Sequence, residues 1–181
     1  MSAAVIGIGN VLFQDEGIGV FTSKYLETNY TFEPAIDVID GGTLGFKLMC
    51  FFQEYDEIVI LDTISIEDEV GSIFCIPGEE MLGMGQYRKT AHEVEVVQML
   101  EICSLLGKMA DVTILGIIPE DIETVHIGLT EAMKKSFSSY MGTLLKTLES
   151  KGYKATPKAE QKRLDQIIDL WHDERMSRDG E

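Results

Sequence analysis

The sequence predicts an α/β protein of the three-layer αβα type, with a twisted, mostly parallel sheet of about five strands, one antiparallel edge strand and helices on both faces. Three observations carry that expectation. The runs Ala4–Gly9, Glu57–Leu61 and Val112–Ile118 are almost continuously apolar, as strands covered on both faces must be. The segments between them place apolar residues at helical spacing. One strand candidate, Ser72–Ile76, follows its predecessor after a link too short for a helical crossover, so it is expected to run antiparallel at an edge.

Taken in order, Ala4–Gly9 is a buried strand that ends in small residues where the chain must turn. Asp15 then caps a helix over Glu16–Thr28, with Ile18, Phe21, Tyr25 and Leu26 on its inner face. Ala35–Ile39 is a short second strand, and Thr43 caps an apolar helix over Leu44–Gln53. Glu57–Leu61 is the third strand and stops at Asp62. Pro77–Lys89 is rich in Gly and Met and reads as a loop. Thr90 and Glu93 match a capping box for a helix over Ala91–Leu106, with Val94, Val97, Leu100 and Leu105 inward. Pro119 closes the last strand, and Thr130 starts a long helix that reaches about Glu149.

Residues 1–150 therefore form one α/β domain, and residues 151–181 read as a C-terminal appendage that docks on the domain or on a neighbour. Within it, 158–175 has an amphipathic pattern with Leu164, Ile167, Ile168 and Trp171 on one face. Truncation after Lys151 is expected to leave a folded protein, because the strand and helix set is complete by then.

Charge follows the same division. Residues 1–150 hold 24 acidic and 8 basic side chains, whereas 151–181 hold seven of each. A folded unit this acidic repels phosphate backbones, so nucleic acid is a poor partner, while a metal cation or a basic peptide is favoured. No apolar run is long enough to span a membrane. The N-terminus lacks the basic region and cleavage site of a secretory signal, so the expected compartment is the cytoplasm. Cys50, Cys75 and Cys103 are far apart and sit in apolar stretches, which suits free thiols rather than a disulfide framework or thiolate metal site.

In open α/β sheets ligands gather at the carboxyl ends of the strands. The chemically notable residues fall there in succession: Asp15 and Glu16 after the first strand, Asp40 after the second, Asp62 after the third, Glu120 and Asp121 after the last. His92, at the start of its helix, shares that rim. Gly7-Ile8-Gly9 with Asp40 superficially resembles a dinucleotide fingerprint, but Leu12 stands where the third glycine is needed. Asp15 and Glu16 at the helix start would also repel a pyrophosphate, so no nucleotide is expected.

A cation suits the same place. Glu16 and Asp62 offer hard oxygens and His92 an imidazole nitrogen, a set that accepts borderline ions such as nickel or zinc. Taken singly, each has an ordinary structural explanation: a helix-dipole charge, a strand-end turn carboxylate, a first-turn surface histidine. Their common rim is what argues for a site. His126 could line the cleft, and His172 reads as a solvated tail residue. No GxSxG motif exists and the cysteines look buried, so a hydrolase built on this chain would use water with carboxylates or a metal.

The segment from Gly7 through Gly9, Asp15, Glu16 and Gly17 to Val20 resembles the N-terminal signature of the nickel–iron hydrogenase maturation endopeptidases. Asp40-Gly41-Gly42-Thr43-Leu44-Gly45 resembles their second motif, Leu61-Asp62 the third, and Thr90-Ala91-His92 the fourth. The resemblance spans about residues 4–145.

It implies an endopeptidase that removes the C-terminal extension of the nickel-loaded hydrogenase large-subunit precursor. Nickel, presented by that precursor, would be the recognition element, and no organic cofactor is implied. Glu16, Asp62 and His92 would contact the metal, and either nickel would polarise the scissile carbonyl or a carboxylate, Asp15 or Asp40, would act as base in an aspartyl-protease-like manner. Gly41, Gly42 and Thr43 would shape the substrate cleft, with Met81, Met84 and Tyr87 above the tail. Two other readings use the same residues: a noncatalytic nickel-delivery or metal-binding chaperone, and a relative that binds a different peptide without cutting it. The resemblance says nothing about residues after Gly152.

Overall fold

The computed structural model describes residues 2–83, 91–105 and 110–170, without the side chains of 82, 83, 91–95 and 104. Its centre is a five-stranded sheet in the order β3-β1-β4-β6-β5. Strands β1 (Ala3–Ile8), β3 (Asp37–Gly42), β4 (Glu57–Thr63) and β6 (Asp111–Ile117) are parallel. Strand β5 (Ile73–Pro77) pairs antiparallel with β6 at one edge, Ile73 opposite Ile117 and Pro77 opposite Thr113. The expected fold class is the observed one, down to its single antiparallel edge.

Burial on both faces explains why the central strands read as apolar runs. Alternate side chains along each strand enter two separate cores. Val5, Val59, Leu61 and Leu115 join one core with α1 (Ile18–Asn29) and α5 (Glu131–Ser150). Ile6, Ile58, Ile60 and Ile114 join the other, with α2 (Met49–Glu54), α3 (Gly78–Gly83) and α4 (Ala91–Leu105).

Several boundaries differ from the sequence reading. The first helix opens with a 3-10 turn over Gln14–Gly17, and the helix after β3 is likewise split into Gly45–Leu48 and α2. Part of the expected Gly- and Met-rich loop is α3, and Met81 is buried in the second core. Met84, Tyr87 and the Thr90 cap lie outside the described residues. Leu105, expected to face inward, is 88% exposed. The reason is that α4 carries apolar residues on both sides, Val96, Val97, Met99, Leu100 and Cys103 buried and Ile102 and Leu105 exposed, so spacing alone does not define its inner face. Thr130 caps α5 as expected, its hydroxyl accepting from the Met133 amide.

The tail holds a strand as well as the expected helix. After a tight turn at Gly152, strand β7 (Lys154–Pro157) pairs antiparallel with β2 (Tyr30–Glu33) in a separate ribbon. Asn29, fully buried, then receives the Lys162 amide at 2.7 Å and donates to the Lys162 carbonyl at 2.9 Å. Helix resumes only at 164–170, and Tyr153 and Ile168 belong to the first core, with Ile167 also buried. The described part of 151–181 is thus packed into the domain as strand and short helix. Trp171 and His172 lie outside the described residues. Among those described, no helix is long and apolar enough to cross a membrane.

Candidate functional site

The strand order creates the crevice. From β1 the chain crosses through α1 to β3 on one side, whereas from β4 it proceeds to β6 on the other. Loops leaving the carboxyl ends of β1 and β4 therefore diverge, and a crevice opens between them. Glu16 follows β1 and Asp62 is the last residue but one of β4, so these two carboxylates flank the switch point.

Glycines let the Glu16 turn lie directly on the strand. A Cβ on Gly9, whose φ is +137°, would fall 1.8 Å from the Glu16 carbonyl oxygen. A Cβ on Gly19 would meet the Leu61 and Ile8 carbonyls at 2.2 and 2.3 Å. Backbone sits against backbone at both places, and no side chain fits without displacing the turn. Glu16 is partly exposed. Asp62 is only 3% exposed, and its Oδ1 accepts the Thr63 amide at 2.8 Å. By alternation from Ile58 and Ile60, Asp62 belongs to the sheet face covered by α2 and α4.

Helix α4 ends shortly before β6 begins at the amino edge of the sheet, and its 15 residues run about 22 Å. Its N-terminus, with His92 in second place, therefore lies at the carboxyl edge. Val96 and Met99, further along the helix, line a small apolar hollow with Gly42, Thr43 and Leu48. That places α4 beside the loop after β3. The His92 side chain is outside the described residues, and among the described residues no three His, Cys, Asp or Glu side chains form a metal cluster.

The loop after β3 carries the other sequence candidates. Asp40 is exposed on the edge strand, opposite Gly7 of β1. The register breaks after that pair, so Ile8 aligns with Gly42, and the Gly9 amide donates to the Gly42 carbonyl at 3.0 Å. Gly42 has φ +42°, and a Cβ on Gly41 would meet Ile6 Cγ2 at 2.8 Å. Gly41 thus packs on β1 while Gly42 makes the turn into Thr43.

Asp15 has a different environment from Asp40. It is fully buried, and its carboxylate accepts four hydrogen bonds. Thr130 donates through its amide to Oδ1 at 2.7 Å and through its hydroxyl to Oδ2 at 2.9 Å. The amides of Glu120 and Asp121 each donate to Oδ2 at 3.0 Å. The Asp15 amide in turn donates to the Asp121 carbonyl, and Gln14 to the His126 carbonyl. One carboxylate therefore ties the loop after β6 to the turn that carries Glu16.

Asp121 is itself held by its neighbours. Hydrogen bonds from the Thr124 hydroxyl, then from the Thr124 and Glu123 amides, lower its pKa below the usual carboxylate value. His126 stands exposed on this loop, next to Phe13 in a short parallel bridge. This interlock was missed by sequence reasoning because its partners lie more than a hundred residues apart. The available signal was the run Pro119-Glu120-Asp121 closing the last strand.

Comparison with known proteins gives a family and a fold. The family model described as hydrogenase maturation protease matches residues 20–147. The chain is 29% identical over 160 residues to the hydrogenase 2 maturation protease of Escherichia coli, covering 87% of this chain and 97% of that protein. It is 27% identical to a hydrogenase expression/formation protein of Rhizobium leguminosarum, covering 86% and 78%. Among solved structures, the hydrogenase maturating endopeptidase of E. coli superposes with a TM-score of 0.81 at 28% identity, covering 88% of this chain and 99% of that one. A [NiFe] hydrogenase maturation protease from Thermococcus kodakarensis shares the fold, with a TM-score of 0.66 at 23% identity, covering 81% and 99%. The family match includes Asp62 and His92 and begins just after Glu16.

Proposed function

The chain belongs to the hydrogenase maturation protease family, and we propose that it cleaves the C-terminal extension from a nickel-loaded hydrogenase large-subunit precursor, reading the substrate's nickel through Glu16, Asp62 and His92. The observation that supports this most strongly is the placement of Glu16 and Asp62 on either side of the switch-point crevice. The N-terminus of α4, with His92, lies at the same edge.

In this reading the precursor brings the metal and the peptidase tests it. Two carboxylate oxygens and an imidazole nitrogen complete a borderline-ion coordination sphere that the precursor leaves open. Binding in that manner would fix the scissile peptide above Gly41-Gly42-Thr43, where Gly42 carries no side chain to hold off an approaching backbone.

Of the two carboxylates that the sequence offers as base, Asp40 is exposed and Asp15 is enclosed by protein donors. We assign the base role to Asp40 and a positioning role to Asp15. Asp40 would take a proton from a water whose oxygen bonds to the scissile carbonyl carbon. The C–N bond then breaks, and the proton passes to the leaving amine.

The test is incubation of purified protein with a cognate precursor, with and without nickel, followed by intact-mass measurement. The expected result is nickel-dependent loss of the C-terminal segment. Nickel-dependent association with no change of mass, using a precursor known to be processable, would replace the peptidase with a metal-binding module.

A further inference from the structure

The carboxyl edge of the sheet is unusual in what its loops expose. Seven large hydrophobic side chains among the described residues are exposed. Five of them, Leu12, Leu44, Phe46, Val70 and Val125, lie on loops that leave this edge. They come from four different connections: after β1, after β3, between β4 and β5, and after β6. Two of these loops are hydrogen-bonded together, the His126 amide donating to the Leu12 carbonyl at 3.0 Å. The link between β4 and β5 is also held at this edge, through Gly71 and Ser72 on either side of Ile118. The remaining two exposed hydrophobics, Ile102 and Leu105, are in the last turn of α4, toward the amino edge.

The same loops are acidic. Residues 10–17, 43–48, 64–72 and 119–130 contain eight Asp and Glu and a single lysine, Lys47. Of the eight only Asp15 is fully buried, whereas Glu69 and Glu123 are exposed beside Val70 and near Val125. Apolar side chains held in water without a partner are a cost that folding does not require, and grouped at one edge they mark an interface. A negative field around them selects the complementary surface.

We infer that this rim is a protein-docking surface whose occupant presents apolar side chains within a basic field, and that it grips the body of the precursor while the crevice receives its tail. The identity of the occupant rests on the proposed function. The rim itself rests on exposure, position and charge. Affinity would then reside largely outside the Glu16, Asp62 and His92 region, so rim substitutions should change KM and leave kcat alone.

The experiment compares four proteins by precursor cleavage and by direct association with immobilised precursor: wild type, Leu12→Ser with Val125→Ser, Glu69→Lys with Glu123→Lys, and Leu105→Ser. Circular dichroism verifies that each is folded. The apolar pair is expected to raise KM and Kd about tenfold, equal to about 1.4 kcal/mol, with kcat within about twofold of wild type. The charge pair is expected to raise both by a similar factor in 50 mM salt and to flatten their salt dependence. Leu105→Ser, at the other end of the sheet, should match wild type. Unchanged KM and Kd in both pairs, or an equal change in Leu105→Ser, would overturn the inference. Tight, salt-dependent association of wild type without cleavage would leave the docking surface standing and remove the peptidase reading. No association of wild type would remove both.

Discussion

Asp15→Ala should be among the most destabilising single substitutions in this chain, although it deletes only a carboxylate. That carboxylate is completely buried and receives three backbone amides and the Thr130 hydroxyl. The hydroxyl can rotate toward another acceptor, but the amides of Glu120, Asp121 and Thr130 are fixed by the backbone. A donor left dry costs about 1–3 kcal/mol, and water entering the vacated space would satisfy some. With two of the three amides left unsatisfied, the loss comes to about 4 kcal/mol. That is a large part of the 5–15 kcal/mol typical of a domain.

For a chain of this length each kcal/mol lowers Tm by roughly 2–4 °C, so a drop of about 8–16 °C is expected. Asp15→Asn keeps one acceptor oxygen and sets an NH2 against the remaining donors, and should lose about half as much. Thermal unfolding followed by circular dichroism at neutral pH measures both. A drop below about 3 °C for Asp15→Ala would refute the claim that this carboxylate holds the loop after β6 to the Glu16 turn.

Other predictions follow from the same geometry. Gly9→Ala would set a methyl 1.8 Å from the Glu16 carbonyl and force a side chain to φ +137°; soluble yield or Tm should fall sharply, and a wild-type melting curve would contradict the packing. At Gly42 an added Cβ meets only Asp40 Oδ1, at 3.4 Å, so the penalty of Gly42→Ala is the positive φ alone, about 1–3 kcal/mol by denaturant titration. Truncation after Lys151 removes Tyr153, Ile167 and Ile168 from buried positions and should destabilise the domain by about 5 kcal/mol; undiminished cooperative unfolding would show that the tail is dispensable. Because its pKa is lowered in the fold, Asp121 contributes stability above the ordinary carboxylate value, and that contribution is lost as pH falls through the folded pKa. A carboxyl-carbon NMR titration should place its midpoint below 3.8, and Thr124→Ala should move it upward.

What was legible in the sequence was whatever depends on near neighbours. Runs such as Val5-Ile6 and Ile58–Leu61 are buried on both faces, and both faces leave the same apolar mark. The antiparallel β5 was legible because chain length excludes a crossover, and the start of α5 because Thr130 is a good cap. The β2–β7 ribbon was not, since it joins residues about 125 apart, and its strands of four residues carry little pattern. Leu105 was misplaced because α4 has apolar residues on its exposed side, Ile102 and Leu105, as well as on its buried side. For the candidate site, the strand-end rule pointed to Glu16, Asp40 and Asp62. It could not separate Asp15 from Asp40, because both belong to strand ends and nothing in their local sequence reveals that one is sealed by a distant loop and the other faces solvent.

The central claim is that Glu16, Asp62 and His92 read the substrate's metal, and the most direct measurement is the ratio of cleavage rates for nickel-loaded and nickel-free precursor. It should be made with wild type and with Glu16→Gln, Asp62→Asn and His92→Ala, each verified as folded. The account predicts a large ratio for wild type and, in every variant, slow cleavage with the ratio falling toward one. Variants that cleave loaded precursor at the wild-type rate and still reject the nickel-free form would place metal recognition elsewhere and contradict it.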